Sequence, residues 1–195
     1  MAEDKLMTEV RLFYPRYQSD QQILAMLRKL YLAASKYILL PNWEKIKVVL
    51  SGRLVKKAGK MVYNVKAEGG YSITVTLSRP LLFEQDINFM RAAASLWHEA
   101  LHVSNLYSHL HHYEILERHG PNFDQKAALL NEIFKPDIKI TVFHNYNVQF
   151  NYKLCCTLCN AVIRRVVKPG KLTRKTHSKT CNGELSYQPI TPADW

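Results

Sequence analysis

No stretch of this 195-residue sequence approaches the ~20 consecutive apolar residues that span a bilayer. The opening Met1-Ala2-Glu3-Asp4-Lys5 is polar and acidic, with no apolar signal-peptide core behind it, so an intracellular protein with no membrane partner is expected. There is no internal repeat and no low-complexity segment. Acidic side chains are scarce, 16 against 27 Lys and Arg, for a net charge of +11. That imbalance favours a polyanionic partner, nucleic acid ahead of an acidic surface. Cysteines are also few: Cys155, Cys156, Cys159 and Cys181. Three of them crowd into five positions, too close for an ordinary disulfide framework, and metal binding is the better reading. What is present is ordinary for a globular chain, with 47% hydrophobic and 22% charged residues, which excludes collagen-like, coiled-coil and largely disordered classes.

The charge is uneven. Residues 151–195 carry 8 basic and 2 acidic side chains and all the cysteines, against 19 and 14 in residues 1–150. This shift predicts two parts: a larger domain over 1–150, with its core at about 20–150, and a small basic module over 151–195. Residues 1–18 give no clear signal. Ser19 and Gln22 form a capping-box pattern ahead of Ile23, Leu27, Leu30 and Ala34, which predicts a helix over 20–38. Three β-branched runs, 47–50, 61–65 and 71–77, are parted by glycines and predict a meander of strands. Asp86 is placed to cap a helix from Ile87 to about His109. Phe123, Ala127, Leu130 and Phe134 mark another helix, and Ile138–Phe143 reads as a strand.

His98-Glu99-Ala100-Leu101-His102 is an HExxH pattern inside the strongly periodic helix. Positions i and i+4 lie one turn apart on one face, so both imidazoles can reach one Zn²⁺. Glu99, one residue on, can take a proton from an attacking water without ligating the metal. A catalytic zinc needs a third protein ligand and an open position. The metzincin spacing fails, since Asn105 and Ser108 stand where Gly and His are required. Spacing alone leaves His109, His111, His112, Glu114, Glu117 and His119 open as the third ligand.

His119-Gly120-Pro121-Asn122-Phe123 resembles the HGPxF segment of the SprT-like (Spartan) metalloproteases. Further segments follow in the same order: Ala58-Gly59, then 73–82 ending in Leu77-Ser78-Arg79-Pro80-Leu81-Leu82, Ile140–His144, and His177–Gly183. The resemblance covers about residues 45–188. It implies an α+β zincin-like domain, with the active-site helix packed on a small sheet, followed by a zinc-ribbon-like module. It also implies His119 as the third zinc ligand, Glu99 as general base, DNA-dependent cleavage of DNA-bound or DNA-crosslinked proteins, and a nuclear location. The tail motifs by which longer relatives bind the replication clamp, ubiquitin and an unfolding ATPase are not seen. A catalytically silent DNA-binding scaffold of the same family is the alternative.

Cys156-x2-Cys159 has knuckle spacing for a zinc gripped by two thiolates, and His177 and Cys181 supply a second pair. Cys155 could replace Cys156. Two zinc ions are therefore expected, one catalytic and one structural. Arg164, Arg165, Lys168, Lys171, Arg174, Lys175 and Lys179 lie within 16 residues with no acid among them, a run suited to the phosphates of DNA, single-stranded DNA included. Zinc modules of Spartan relatives also use aromatic side chains on DNA. None interrupts residues 160–176, so phosphate contact is the expectation.

Overall fold

Helix α1 (Ala2–Arg11) forms where the sequence alone gives no clear signal. Its Met7 and Val10 are buried, and its rim is tied down by Lys29 on Glu9 at 2.6 Å, Lys36 on Glu3 at 3.2 Å, and Arg11 on Asp137. The computed structural model describes residues 2–66, 70–83, 89–112, 119–141, 152–159, 161–165, 181 and 183–190. The chain divides into two compact units, Met1–Tyr146 and Asn147–Trp195, and its architecture is mixed α+β.

In the first unit, helix α2 (Asp20–Ala34) begins at a capping box. Gln22 N–H donates to Ser19 Oγ at 3.3 Å, and Ser19 N–H donates to Gln22 Oε1 at 2.9 Å. The predicted face, Ile23, Leu27, Leu30 and Ala34, is fully buried. The helix stops at Ala34, short of the expected 38, where the chain tightens: Lys36 N–H bonds to Ala33 O and Tyr37 N–H to Ala34 O, each three residues back.

Strands β1 (Ile46–Ser51), β2 (Gly59–Lys66) and β3 (Gly70–Ser78) form one sheet. Its order is β1-β3-β2, with β1 parallel and β2 antiparallel to β3, which corrects the predicted meander. Charge placement gives the reason. β3 carries no charged side chain and buries Ile73, Val75 and Leu77, so it takes the centre. β1 and β2 carry Lys47 and Lys60, which suit edges.

Ser78, at the end of β3, holds two segments together. Its Oγ accepts from Leu81 N–H at 3.1 Å, capping the single turn α3 (Arg79–Leu82), and donates to Leu54 O. Its N–H donates to Ala58 O at 2.7 Å. The Leu-Ser-x-Pro-Leu-Leu segment thereby fixes where β2 starts.

Helix α4 (Met90–His112) packs on α2 and on the sheet. Asp86, its expected cap, lies outside the described residues. Trp97 is fully buried at the centre and donates Nε1–H to Leu30 O at 2.9 Å. Truncating it to Ala would cost about 3–5 kcal/mol. Helix α5 (Pro121–Ile133) starts with Pro at its first turn, where the missing N–H costs nothing.

The strand expected at 138–143 does not form over its described part, 138–141. Ile138 and Ile140 are buried as the alternation predicted. The Asn131 side chain, however, takes the place of a partner strand: its Oδ1 accepts from Ile140 N–H at 2.6 Å and its Nδ2 donates to Ile140 O at 3.0 Å. Val142 and Phe143 lie outside the described residues.

The second unit holds β4 (Tyr152–Cys156), β5 (Val162–Arg165) and β6 (Leu185–Pro189), antiparallel in the order β5-β4-β6. Its core is small: Leu154, Cys156 and Leu185, packed by Ala161, Ile163 and Cys181. Among the described residues, no helix is long and apolar enough to cross a membrane.

Candidate active site

Helix α4 brings His98 and His102 onto one face, as the i, i+4 spacing requires. The bend before α5 returns His119 to them. His102 Nε2 lies 3.2 Å and His119 Nε2 3.3 Å from His98 Nε2. A tetrahedron with zinc–nitrogen arms of 2.0–2.1 Å has edges of roughly 3.3–3.4 Å, so this donor set fits a zinc ion. The tautomer suits it as well. His98 Nδ1–H donates to Thr141 O at 3.0 Å, which leaves the Nε2 lone pair facing the other two rings. His98 is buried, His102 half-buried and His119 exposed, so the cluster has a protein floor and an open side.

The floor is Phe123. Its ring centroid lies 5.1 Å from that of His98, 5.2 Å from His102 and 4.8 Å from His119, and it is fully buried. The aromatic residue of the His-Gly-Pro-x-Phe segment thus contacts all three imidazoles at once.

Glu99 is 7% exposed. Burial pushes its carboxyl up to about 7, and the Met61 N–H and the charge of Lys57 pull only weakly the other way. Its carboxylate packs against the backbone at Gly59, where β2 begins. A Cβ at Gly59 would stand 2.6 Å from Glu99 Oε1. A carboxyl poised near neutrality beside three convergent imidazoles is suited to accepting and returning a proton.

Of the other third-ligand candidates, His111 is engaged elsewhere, 3.2 Å from Tyr71 Oη and stacked on Tyr107 at 4.3 Å between centroids. Glu114 and Glu117 lie outside the described residues. Among the described residues, the histidines that gather as a metal-capable group are His98, His102 and His119.

In the second unit the thiols of Cys156, Cys159 and Cys181 gather, all within 4.8 Å of one another. Cys156 enters the cluster, and Cys155 does not, because neighbours along β4 face opposite ways. The N–H groups of Cys159 and Leu158 point at Cys156 Sγ and pull its thiol down to about 7, favouring the thiolate a metal requires. Gly183 is needed here, since a Cβ on it would lie 2.4 Å from Cys156 Sγ. His177, the expected fourth ligand, lies outside the described residues. So do Lys168, Lys171, Arg174, Lys175 and Lys179. Arg164 and Arg165 lie in β5, paired in register with Lys153 and Tyr152, and their side chains are outside the described set.

The sequence alone gives no site role to Gly59, Met61, Phe123, Asn131 and Thr141, although Gly59, Phe123 and Thr141 lie in the segments that carry the resemblance. The Met61 and Thr141 contributions are main-chain groups and leave no trace in residue type. Tyr152 and Tyr187, whose rings pair at 5.9 Å, were also missed, because they flank the basic run and do not lie within it.

No curated protein matches the chain. A family model described as the SprT-like family matches residues 22–144, more than half of the sequence, and the span includes all three imidazoles and Glu99. The chain belongs to the SprT-like family.

Proposed function

We propose that this protein is a zinc-dependent endopeptidase that cuts proteins bound or crosslinked to DNA, with DNA controlling its activity, and that it works in the nucleus. The observation that carries the peptidase reading is the convergence of three imidazole Nε2 atoms, 3.2 and 3.3 Å apart, beside a buried carboxyl on the same helix. His98, His102 and His119 would hold the zinc. A zinc ion held there would supply Lewis acidity, polarising a scissile carbonyl and making water a better nucleophile at neutral pH.

The chain's own groups do the rest. Glu99 takes the proton of the attacking water and passes it to the departing amine. Met61 N–H and Gly59 hold the Glu99 carboxylate in place. Thr141 O orients His98, and Phe123 keeps water from beneath the three rings.

The cysteine cluster would hold a second, structural zinc in a ribbon-like module, with His177 completing the set. Binding there supplies folding energy that so small a core lacks. The DNA reading rests on charge: a net +11, with eight basic against two acidic residues after position 150. Tyr152 and Tyr187 offer stacking surface close to that charge. A basic module joined to a protease raises the local concentration of DNA-bound substrates.

The test is cleavage of a DNA-crosslinked protein, with and without DNA, by wild type and by Glu99→Gln at matched zinc content. Cleavage by wild type that rises with DNA, falls with salt and disappears in the variant is expected. Equal cleavage with and without DNA at low salt would remove the coupling. No cleavage by either protein would favour a silent scaffold.

A further inference from the structure

The basic run of the cysteine module is not the chain's only acid-free basic stretch. Residues 45–66 contain seven Lys and Arg and no Asp or Glu. They form β1, the connection 52–58 and β2. The register shows how they are arranged. Lys47 pairs beside Thr74 and Lys60 beside Thr76, so both lysines share one face of the sheet with the β3 threonines. Ile73, Val75 and Leu77 occupy the opposite face, the one that meets α4, as the packing of Gly59 on Glu99 shows.

On the outer face, Lys47 and Lys60 are exposed, and Thr74 and Thr76 are half-buried. Arg53, Lys56 and Lys57 of the connection are exposed as well. Elsewhere in this unit six cations, Arg11, Arg28, Lys29, Lys36, Arg79 and Lys135, each sit in an ion pair. Among the described residues, none of the five cations on the sheet and its connection has such a partner. Lys47 and Lys60 flank the uncharged β3 with no acidic residue between them, and such a concentration of one sign of charge attracts a polyanion.

We infer that the outer face of the β1-β3-β2 sheet, continuing onto the 52–58 connection, is a second nucleic-acid surface, one that grips the phosphate backbone without reading sequence. This rests on the DNA reading above and adds to it a phosphate track on the protease unit itself. Strand spacing and rise put the Lys47 and Lys60 Cα atoms about 12 Å apart across β3, within reach of one backbone for two flexible lysine stems. The threonine hydroxyls between them can donate to phosphate oxygens. The track ends beside Gly59, against which Glu99 packs, so nucleic acid held on it would bring attached protein towards the three imidazoles.

The experiment compares full-length wild type, the double variant Lys47→Thr/Lys60→Thr, and a control, Lys29→Thr/Lys36→Thr. The control removes the same charge from positions already paired to Glu9 and Glu3. Binding to a labelled 20-nucleotide single strand and to its duplex is followed by anisotropy across a salt series. The sheet variant is expected to bind about tenfold or more weakly at low salt and to lose about 1.5 from the slope of log Kd against log salt, as two lost phosphate contacts require. The control should stay within about twofold of wild type by the same reasoning. DNA-independent cleavage of a short peptide and thermal stability should be unchanged in the sheet variant, showing that it is folded.

Equal losses in both double variants would reduce the effect to net charge and overturn the inference. So would wild-type DNA binding by the sheet variant, which leaves the DNA reading of the protein standing. Loss of binding to phosphatidylserine vesicles with DNA binding intact would identify the face as a lipid surface instead. If wild type bound neither DNA, the broader reading would fall together with this one.

Discussion

Gly59 and Glu99 are in steric register: a methyl group on Gly59 would stand 2.6 Å from Glu99 Oε1 and 2.7 Å from its Cγ. The glycine is there to let a buried carboxylate lie on the first residue of β2. Ser78, through Ala58 and Leu54, holds that segment against the sheet.

Gly59→Ala should therefore move Glu99 while leaving the zinc ligands in place. Peptide cleavage should fall by about 10²-fold or more, the usual worth of a positioned general base. Zinc content should stay at the wild-type level. Gly52 has nothing within 4 Å of a built Cβ, so Gly52→Ala is the matched control and should cleave normally. Full activity in Gly59→Ala would mean that the carboxylate position does not matter.

The raised Glu99 carboxyl has a consequence for the metal-free protein. Its folded value of about 7 lies above the ordinary 4.5, so the folded state binds this proton more tightly than the unfolded state does. The favourable contribution is complete below about pH 4.5 and is lost as pH rises through 7. Above that, the buried charge destabilises the fold by up to about 3 kcal/mol. Glu99→Gln removes the charge. Urea unfolding of the metal-free proteins, followed by Trp fluorescence, should find the variant more stable than wild type at pH 8 by up to that amount. At pH 5 the gap should nearly close. A gap independent of pH would assign the difference to something other than ionisation.

Much of this was legible in the sequence, and the parts that were not share a physical reason. Helices α2, α4 and α5 declare themselves by apolar spacing, and HExxH places two ligands because the helix period is fixed. Sheet order is different. β1, β2 and β3 look alike as segments, and only the absence of charge on β3 distinguishes the centre from the edges. The 138–141 segment misleads for a related reason: Ile138 and Ile140 alternate like a strand, yet the Asn131 amide satisfies Ile140 in place of a neighbouring chain. Alternation reports burial, and it is silent on which group takes the hydrogen bonds. Cys155 and Cys156 could not be ranked by spacing, whereas the alternation of β4 separates them.

The cysteine cluster gives a stoichiometric prediction. A Cβ on Gly183 would lie 2.4 Å from Cys156 Sγ and 2.9 Å from Leu158 Cβ, so Gly183→Ala must displace the knuckle. Native mass spectrometry should count about two zinc ions in wild type and about one in Gly183→Ala or Cys156→Ser. Cys155→Ser should keep both. Loss of zinc from Cys155→Ser with retention by Cys156→Ser would reverse the assignment.

Asn131 offers a longer-range test of the histidine centre. Its amide holds Ile140 by both main-chain groups, and the next residue, Thr141, presents the carbonyl that orients His98. Asn131 touches none of the three imidazoles in this chain of contacts. It acts on them by fixing a segment that has no ladder of its own. Asn131→Ala strips both hydrogen bonds and leaves the buried N–H and C=O of Ile140 without that partner, at a cost of about 1–3 kcal/mol for each group left unsatisfied. With Thr141 released, His98 loses its fixed tautomer, and zinc affinity should drop about 10- to 100-fold, the usual effect of losing an outer partner. Asn131→Asp keeps the acceptor for Ile140 N–H but not the donor for its C=O, so it should fall between wild type and Asn131→Ala. Competition with a chelator reads affinity, and thermal unfolding reads stability. A variant that loses stability yet holds zinc as tightly as wild type would show that Thr141 keeps its place without Asn131.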